Sequence, residues 1–267
     1  MDLGLTGRAC IVTGASQGIG RAITERLVTE GAHVLAVARG QEGLDALVDA
    51  VAAGPGPGRV VAHVADVTDP GAGAGVVAAC VDAFGTVDVL VNNAGTSYVK
   101  ALADLEDQDW RLNHDLHVMA PMRLMQAAAP LMAARGWGRV VNVCSSAGKR
   151  PSPMNVAYAV SKAGQLSLSR AFADAFAADG VLVNAVAPGM TASELWVGDG
   201  GMADQLAARD GGTRADAIAE RGGRSPLGRM SEPGEIADVV VFLCGERASS
   251  VAGAAWSVDG GAVAIIV

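Results

Sequence analysis

Residues 10–31 read CIVTGASQGIGRAITERLVTEG, and this stretch decides the fold. An apolar run leads into a turn in which Gly14, Gly18 and Gly20 are spaced G-x-x-x-G-x-G, and a helical pattern follows. Small residues in such a turn let the backbone approach a pyrophosphate. The first turn of the helix adds unpaired N–H groups and the positive end of its dipole. The spacing is not the G-x-G-x-x-G of the usual dinucleotide fingerprint. Taken alone, the turn reads equally as a tight strand-to-helix connection. Its place, directly after an apolar strand near the chain start and opening a helix, favours the nucleotide reading.

The alternation continues through the chain. Short Val-rich runs at 9–13, 33–38, 60–65, 87–91, 139–144, 182–186 and 255–258 read as strands of a parallel sheet covered on both faces. Helical patterns lie between them at about 18–30, 41–53, 72–84, 110–135, 156–178 and 233–244. The class is α/β, a doubly wound Rossmann-type sheet with helices on both faces. No domain boundary is visible, so residues 1–267 read as one domain. The stretch 191–224 is rich in Gly, Asp and Ala and reads as a long insertion of the kind that forms lids or mobile loops.

Composition excludes several classes. The formal net charge is −8 and Lys occurs only at 100, 149 and 162, which argues against nucleic acid or an anionic membrane as partner. No apolar leader or membrane-spanning run is seen. Cys10, Cys80, Cys144 and Cys244 are scattered without C-x-x-C spacing and read as small core residues of a reduced, cytoplasmic protein.

Chemistry is concentrated in CSSAGKRPSPMNVAYAVSKAG, residues 144–164. Tyr158 and Lys162 stand four apart, which places phenol and ammonium on one helix face. A neighbouring cation favours phenolate and lowers the Tyr pKa, so Tyr158 is expected to give or take a proton near neutrality. Ser145, at the end of an apolar strand, is placed to hold a substrate oxygen beside that phenol. Ser146 competes for the same role.

Together these features resemble the short-chain dehydrogenase/reductase family in its compact form, including 3-oxoacyl-carrier-protein reductase-like members. The resemblance runs through Thr13–Gly20, Asp66-Val67, Asn92-Asn93-Ala94-Gly95, Ser145, Tyr158, Lys162, Pro188-Gly189, Pro226-Leu227-Gly228-Arg229 and Asp259-Gly260-Gly261. It implies seven parallel strands in the order 3-2-1-4-5-6-7 and a nicotinamide dinucleotide as hydride carrier. The spacing of thirteen between Ser145 and Tyr158 is the family's usual one and favours Ser145 over Ser146. Lys162 is implied to hold the nicotinamide ribose as well as to tune Tyr158. Gly14, Ser16, Gln17, Gly18, Ile19 and Gly20 would hold the pyrophosphate side. Asp66 and Val67 would contact the adenine, although an Asp there also suits a helix N-cap. Asn92, Ala94 and Gly95 would approach the cofactor, with Asn92 equally able to stitch strands. Pro188, Gly189, Thr191 and Ser193 would shape the nicotinamide pocket, and 191–224 becomes the substrate-binding loop.

Cofactor choice is expected after the second strand, in VLAVARG. Ala38 stands where an acidic residue would favour NAD, and Arg39 follows, whose fork and charge suit a 2′-phosphate. NADP is therefore favoured and NAD remains possible; an Arg39 that stacks on adenine or faces solvent is the plainer reading. One position departs from the family pattern. Many relatives carry an Asn thirteen residues before the equivalent of Pro130, where it helps hold a water linked to the active-site Lys. Here His117 stands in its place. His117 either relays protons or packs. His114 and His117 are i and i+3, but no further ligand stands at a recognised spacing, so a metal is not expected.

Tyr98, Met154, Met190 and Trp196 read as pocket wall or as loop packing, and Lys149 and Arg150 as an anion-attracting pair or a solvated face. The expected activity is hydride transfer between NADP(H) and a ketone or secondary alcohol. A 3-oxoacyl or secondary-metabolite ketone substrate follows from resemblance alone. A dinucleotide-binding sensor or scaffold with little turnover is the alternative; an isomerase, epimerase or dehydratase is a weaker third. A homotetramer or homodimer is implied by resemblance, with the apolar tail 263–267 filling a groove between subunits or folding back.

Overall fold

Runs of Val, Ile and Ala without polar alternation must be covered on both faces, and the chain folds accordingly. The computed structural model describes residues 1–54 and 56–264. Its strands are β1 (Ala9–Thr13), β2 (His33–Ala38), β3 (Arg59–Val64), β4 (Val89–Asn92), β5 (Gly138–Val143), β6 (Val181–Pro188) and β7 (Ala255–Val258). All pair in parallel, in the order β3-β2-β1-β4-β5-β6-β7. On one face pack α1 (Gly18–Thr29), α2 (Gln41–Ala52) and α11 (Pro233–Cys244), through Ile23, Leu27, Leu44, Leu47, Ile236 and Val240. On the other lie α3 (Ala72–Phe84), α5 (Ala120–Ala133) and α7 (Val156–Phe176), through Val76, Leu124, Met125, Met132 and Ala173. The chain winds outward from β1 to β3 and restarts at β4 on β1's other side. A crevice opens where those two strand ends diverge, and ligands bind in such crevices.

Three differences from the sequence reading have local causes. The fourth strand begins at Val89 rather than 87, because the Asp88 carboxylate turns in and accepts the Ala9 N–H at 2.9 Å. The helix expected at 110–135 starts earlier, at α4 (Asp107–His114), where Glu106 and Asp109 form a reciprocal capping box. It is then interrupted by a π turn, Asp115–Met119. Pro121 has no N–H to give the carbonyl four residues back, which is that of His117, so the regular ladder fails there. Lastly, 191–224 is largely helical, with α8 (Glu194–Val197), α9 (Met202–Asp210) and α10 (Arg214–Gly223). Ala203, Leu206 and Ala217 form a small cluster of their own against Val99, Met154, Trp196 and Ile218. The tail expected to fill a groove reaches 265–267, outside the described residues. Among the described residues no helix is long and apolar enough to cross a membrane.

Candidate active site

The Gly-rich turn is built from both sides of the crevice. Gly14 and Gly18 adopt φ of +64° and +53°, conformations that a side chain disfavours. A Cβ on Gly20 would press into the Gly14 carbonyl oxygen and the Asn93 amide. Asn93 stitches the turn to the end of β4: its Nδ2 donates to the Thr13 carbonyl at 2.9 Å and to the Gly14 carbonyl at 3.2 Å. Thr13 Oγ1 in turn accepts the N–H groups of Asn93 and Ala94, each at 3.0 Å. No side chain caps the N-terminus of α1. A Cβ is crowded at Gly14, Gly18 and Gly20, and Ser16, Gln17 and Ile19 flank a helix start whose N–H groups could hold a pyrophosphate.

Past β2 and β3 stand the residues expected on the adenine side. Arg39 is exposed just past β2 and has no ion pair or hydrogen bond among the described residues. Asp66 Oδ1 accepts from Thr68 N–H at 2.9 Å and Thr68 Oγ1 at 2.7 Å, which holds the carboxyl below its usual range, with a smaller contribution from the Arg39 charge. The Asp therefore closes an Asx turn ahead of α3, and Val67 beside it is buried. Asn92 is a buried strand stitch: its Nδ2 donates to Asn142 Oδ1 at 2.7 Å. Pro188 ends β6. Gly189 is required there because a Cβ would meet the Asp259 backbone at 2.8 Å. Thr191 is buried and bonds the Gly189 carbonyl, and Ser193 sits over Gly18 with Glu194.

Ser145, Tyr158 and Lys162 gather at the end of β5. Ser145 is the N-cap of α6 (Ser146–Lys149), where its Oγ accepts the Ala147 N–H at 3.1 Å. Ser146 begins that helix, so it is Ser145 that faces Tyr158. Burial pushes the Tyr158 phenol up to about 12; the Ser145 hydroxyl works against that rise. Lys162 moves the other way, down to about 8, again by burial. Its Nζ lies 5.8 Å from the Tyr158 ring centroid, donating to the Val143 carbonyl at 2.9 Å and to Gln165 Oε1 at 2.8 Å. The expectation of a phenol tuned downward therefore does not describe this arrangement. The protein packed around them favours the neutral form of each, the phenol above its usual value and the amine below it.

His117 sits on the π turn, fully buried, its ring edge-on to Tyr158 with centroids 5.2 Å apart. Its Nε2 accepts the Thr96 N–H at 3.3 Å. Its Nδ1 therefore carries the hydrogen and donates to Ser161 Oγ at 2.9 Å, and Ser161 donates to the Tyr158 carbonyl at 2.7 Å. Burial, and then the Lys162 charge, hold the imidazole well below its ordinary pKa. Gly95 leaves the space that lets it sit against this loop. His114 is exposed, so the two imidazoles occupy different environments. Lys149, read as a possible anion lure, is tied to β7 through Ala255 O at 2.6 Å and Ser257 Oγ at 3.0 Å. Tyr98 donates to Asp109 at 2.8 Å. Thr13 and Asn93 stood inside the motifs read in the sequence, whereas neither Ser161 nor Gln165 was singled out there. The polar residues on the inward face of 156–176 were the available signal for these two omissions.

Fold and site together define a dinucleotide-binding oxidoreductase. A family model for short chain dehydrogenases matches residues 8–200. The chain belongs to the short-chain dehydrogenase/reductase family. It is 35% identical over 259 residues, 97% of this chain and 99% of the other, to the 3-oxoacyl-[acyl-carrier-protein] reductase of Thermotoga maritima. It is 31% identical over 257 residues, 95% and 98% of the two chains, to a D-beta-hydroxybutyrate dehydrogenase of Rhizobium meliloti. Among solved structures, L-sorbose reductase from Gluconobacter frateurii, complexed with NADPH and L-sorbose, superposes with a TM-score of 0.93 at 33% identity over the whole of both chains.

Proposed function

We propose that the protein reduces a ketone or aldehyde to an alcohol, or runs the reverse, with NADP(H) as cofactor and Tyr158 as the proton-transferring group. The observation that carries this reading is the convergence of Ser145, Tyr158 and Lys162 at the end of β5, beside the crevice. When bound, the nicotinamide cofactor would supply the hydride. The Ser145 hydroxyl holds the carbonyl oxygen and the charge that develops on it. Tyr158, protonated at neutral pH, gives that oxygen its proton. Lys162, still largely protonated at neutral pH, stabilises the phenolate left behind. Alcohol oxidation runs these proton steps backwards. His117 braces Tyr158 and the loop at Thr96, the packing role of the two considered, because both ring nitrogens already have protein partners.

NADP(H) is favoured over NAD(H) because Arg39 offers an unpaired guanidinium where Ala38 removes the acidic alternative. The segment 191–224 binds substrate, with Tyr98, Met154 and Trp196 on the wall. A 3-oxoacyl or polyhydroxy ketone is the first choice for assay, since relatives act on 3-oxoacyl chains and on L-sorbose. We place the enzyme in the cytoplasm as one domain that associates with itself. Leu112 on α4 and Val160 on α7 leave 55% and 51% of their surfaces exposed on adjacent helices, apolar area that a second copy would cover. The test is NADPH oxidation over ketones, ketoses and 3-oxoacyl thioesters, beside NADH and a Tyr158→Phe control. Turnover that persists in the control refutes the assignment of Tyr158.

A further inference from the structure

Lys162 holds its charge where little compensates for it. The residue is 3% exposed, and no carboxylate approaches it within ion-pair distance among the described residues. Three titratable groups face it: Tyr158 on its own helix, Cys144 beyond β5 and His117 on the π turn. All three are neutral near pH 7, because burial raises the phenol and the thiol to about 12 and lowers the imidazole. Hydrogen bonds must therefore carry the ammonium. Nζ donates one to the Val143 carbonyl at 2.9 Å and the other, at 2.8 Å, to Gln165 Oε1. Among the described residues Gln165 is the one side chain that accepts from Nζ.

Gln165 is itself 1% exposed, on the face of α7 turned to the sheet. An apolar residue would pack that contact as well, so the amide is explained by what it bonds. Its turn of helix is anchored: Ser169 Oγ donates to the Gln165 carbonyl at 2.7 Å, Asn142 Nδ2 to Ser169 Oγ at 2.8 Å, and Asn92 Nδ2 to Asn142 Oδ1 at 2.7 Å. A polar rod thus runs from β4 through β5 to the acceptor of the lysine.

We infer that Gln165 is a positioning residue that keeps Lys162 protonated and aimed, and so sets the alkaline limit of activity. The inference rests on the Ser145–Tyr158–Lys162 reading. Its sign is definite. Withdrawing the acceptor disfavours the charged lysine, which then loses its proton at lower pH. Placing a carboxylate at the same point favours the charge and moves the loss to higher pH.

The test uses Gln165→Leu and Gln165→Glu, near in size and opposite in expected effect. Protein labelled with 13C at the lysine ε-carbon carries three signals, from Lys100, Lys149 and Lys162. That of Lys162 is assigned by its loss in Lys162→Met. Its titration midpoint should fall by about one pH unit in Gln165→Leu and rise by about as much in Gln165→Glu. The alkaline limb of kcat/KM with NADPH should move the same way in each. An unmoved midpoint, or movement in one direction in both variants, overturns the inference, since loosened packing acts alike in the two. Should Gln165→Leu not fold, Gln165→Met withdraws the acceptor in its place, and should Gln165→Glu not fold, Gln165→Asp supplies the carboxylate; the opposed shifts are required of these as well. The parent reading fails separately, if Tyr158→Phe and Lys162→Met keep turnover; the lysine titration does not depend on turnover.

Discussion

Substituting Gly20 with Ala adds one methyl group at the most crowded point of the Gly-rich turn. That methyl would fall on the Gly14 carbonyl oxygen and the Asn93 amide, and the first of these is backbone in a left-handed conformation that cannot swing aside. Carbon–oxygen contacts settle at about 3.3 Å or more, so the first turn of α1 must move on the order of 1 Å. Overpacking of this kind costs about 1–3 kcal/mol of stability. A displacement of that size also pulls the bare N–H groups away from a pyrophosphate. Losing one charge-assisted hydrogen bond, about 1.5–3 kcal/mol, weakens binding by roughly ten- to a hundredfold. NADPH affinity measured by calorimetry, beside a thermal melt, reads both effects. Gly71→Ala is the control, since it opens onto empty space at an ordinary φ of −87°. A Gly20→Ala protein that is folded and binds NADPH within about twofold of the parent would refute the argument that this turn is the phosphate cradle.

Three further outcomes are expected. Arg39→Ala should raise the NADPH Kd about tenfold or more and leave NADH nearly unchanged; equal losses for both would mean that Arg39 does not read the 2′-phosphate. Lys162 titrates near 8 in the folded chain and at 10.5 when unfolded, so between those values the unfolded state binds more protons and this residue's contribution to stability rises with pH. The raised thiols and Tyr158 act in the opposite sense above about pH 9, so the comparison must be between parent and Lys162→Met. The urea midpoint of the parent relative to Lys162→Met should climb between about pH 8 and pH 10, and a constant difference would contradict it. Val160→Asp should sediment as a smaller species than the parent; a parent that is already monomeric removes the basis for self-association.

Much of this was legible in the chain because two signals agreed. Apolar runs without alternation marked the buried strands, and most boundaries fall within one or two residues of those read. The placement of Gly14, Gly18 and Gly20 after β1, of Ser145 after β5, and of Tyr158 and Lys162 one turn apart on α7 was legible because each sits where a strand ends or on a helix face fixed by periodicity. What escaped depends on contacts distant in sequence. The π turn at Asp115–Met119 follows from a missing N–H at Pro121, but one proline near a helix start does not by itself signal a π turn. The direction of the Tyr158 shift depends on how much protein covers the phenol, which a spacing of four cannot convey. The helices of 191–224 carried one local sign, the capping box of Thr213 and Asp216, masked by the glycines around it. Gln165 became informative only once no carboxylate was seen within ion-pair distance of Lys162 among the described residues.

The small apolar cluster of Ala203, Leu206 and Ala217 belongs to neither of the two cores that flank the sheet. Replacements there weaken a local contact and leave the packing of seven strands and their covering helices as it was. The segment 191–224 can therefore accumulate sequence change at little risk to folding, while a side chain at Gly20 would collide with backbone. If that segment binds substrate as proposed, a chain divided in this way can acquire a new specificity by drift in one region while the sheet and its covering helices stay as they were.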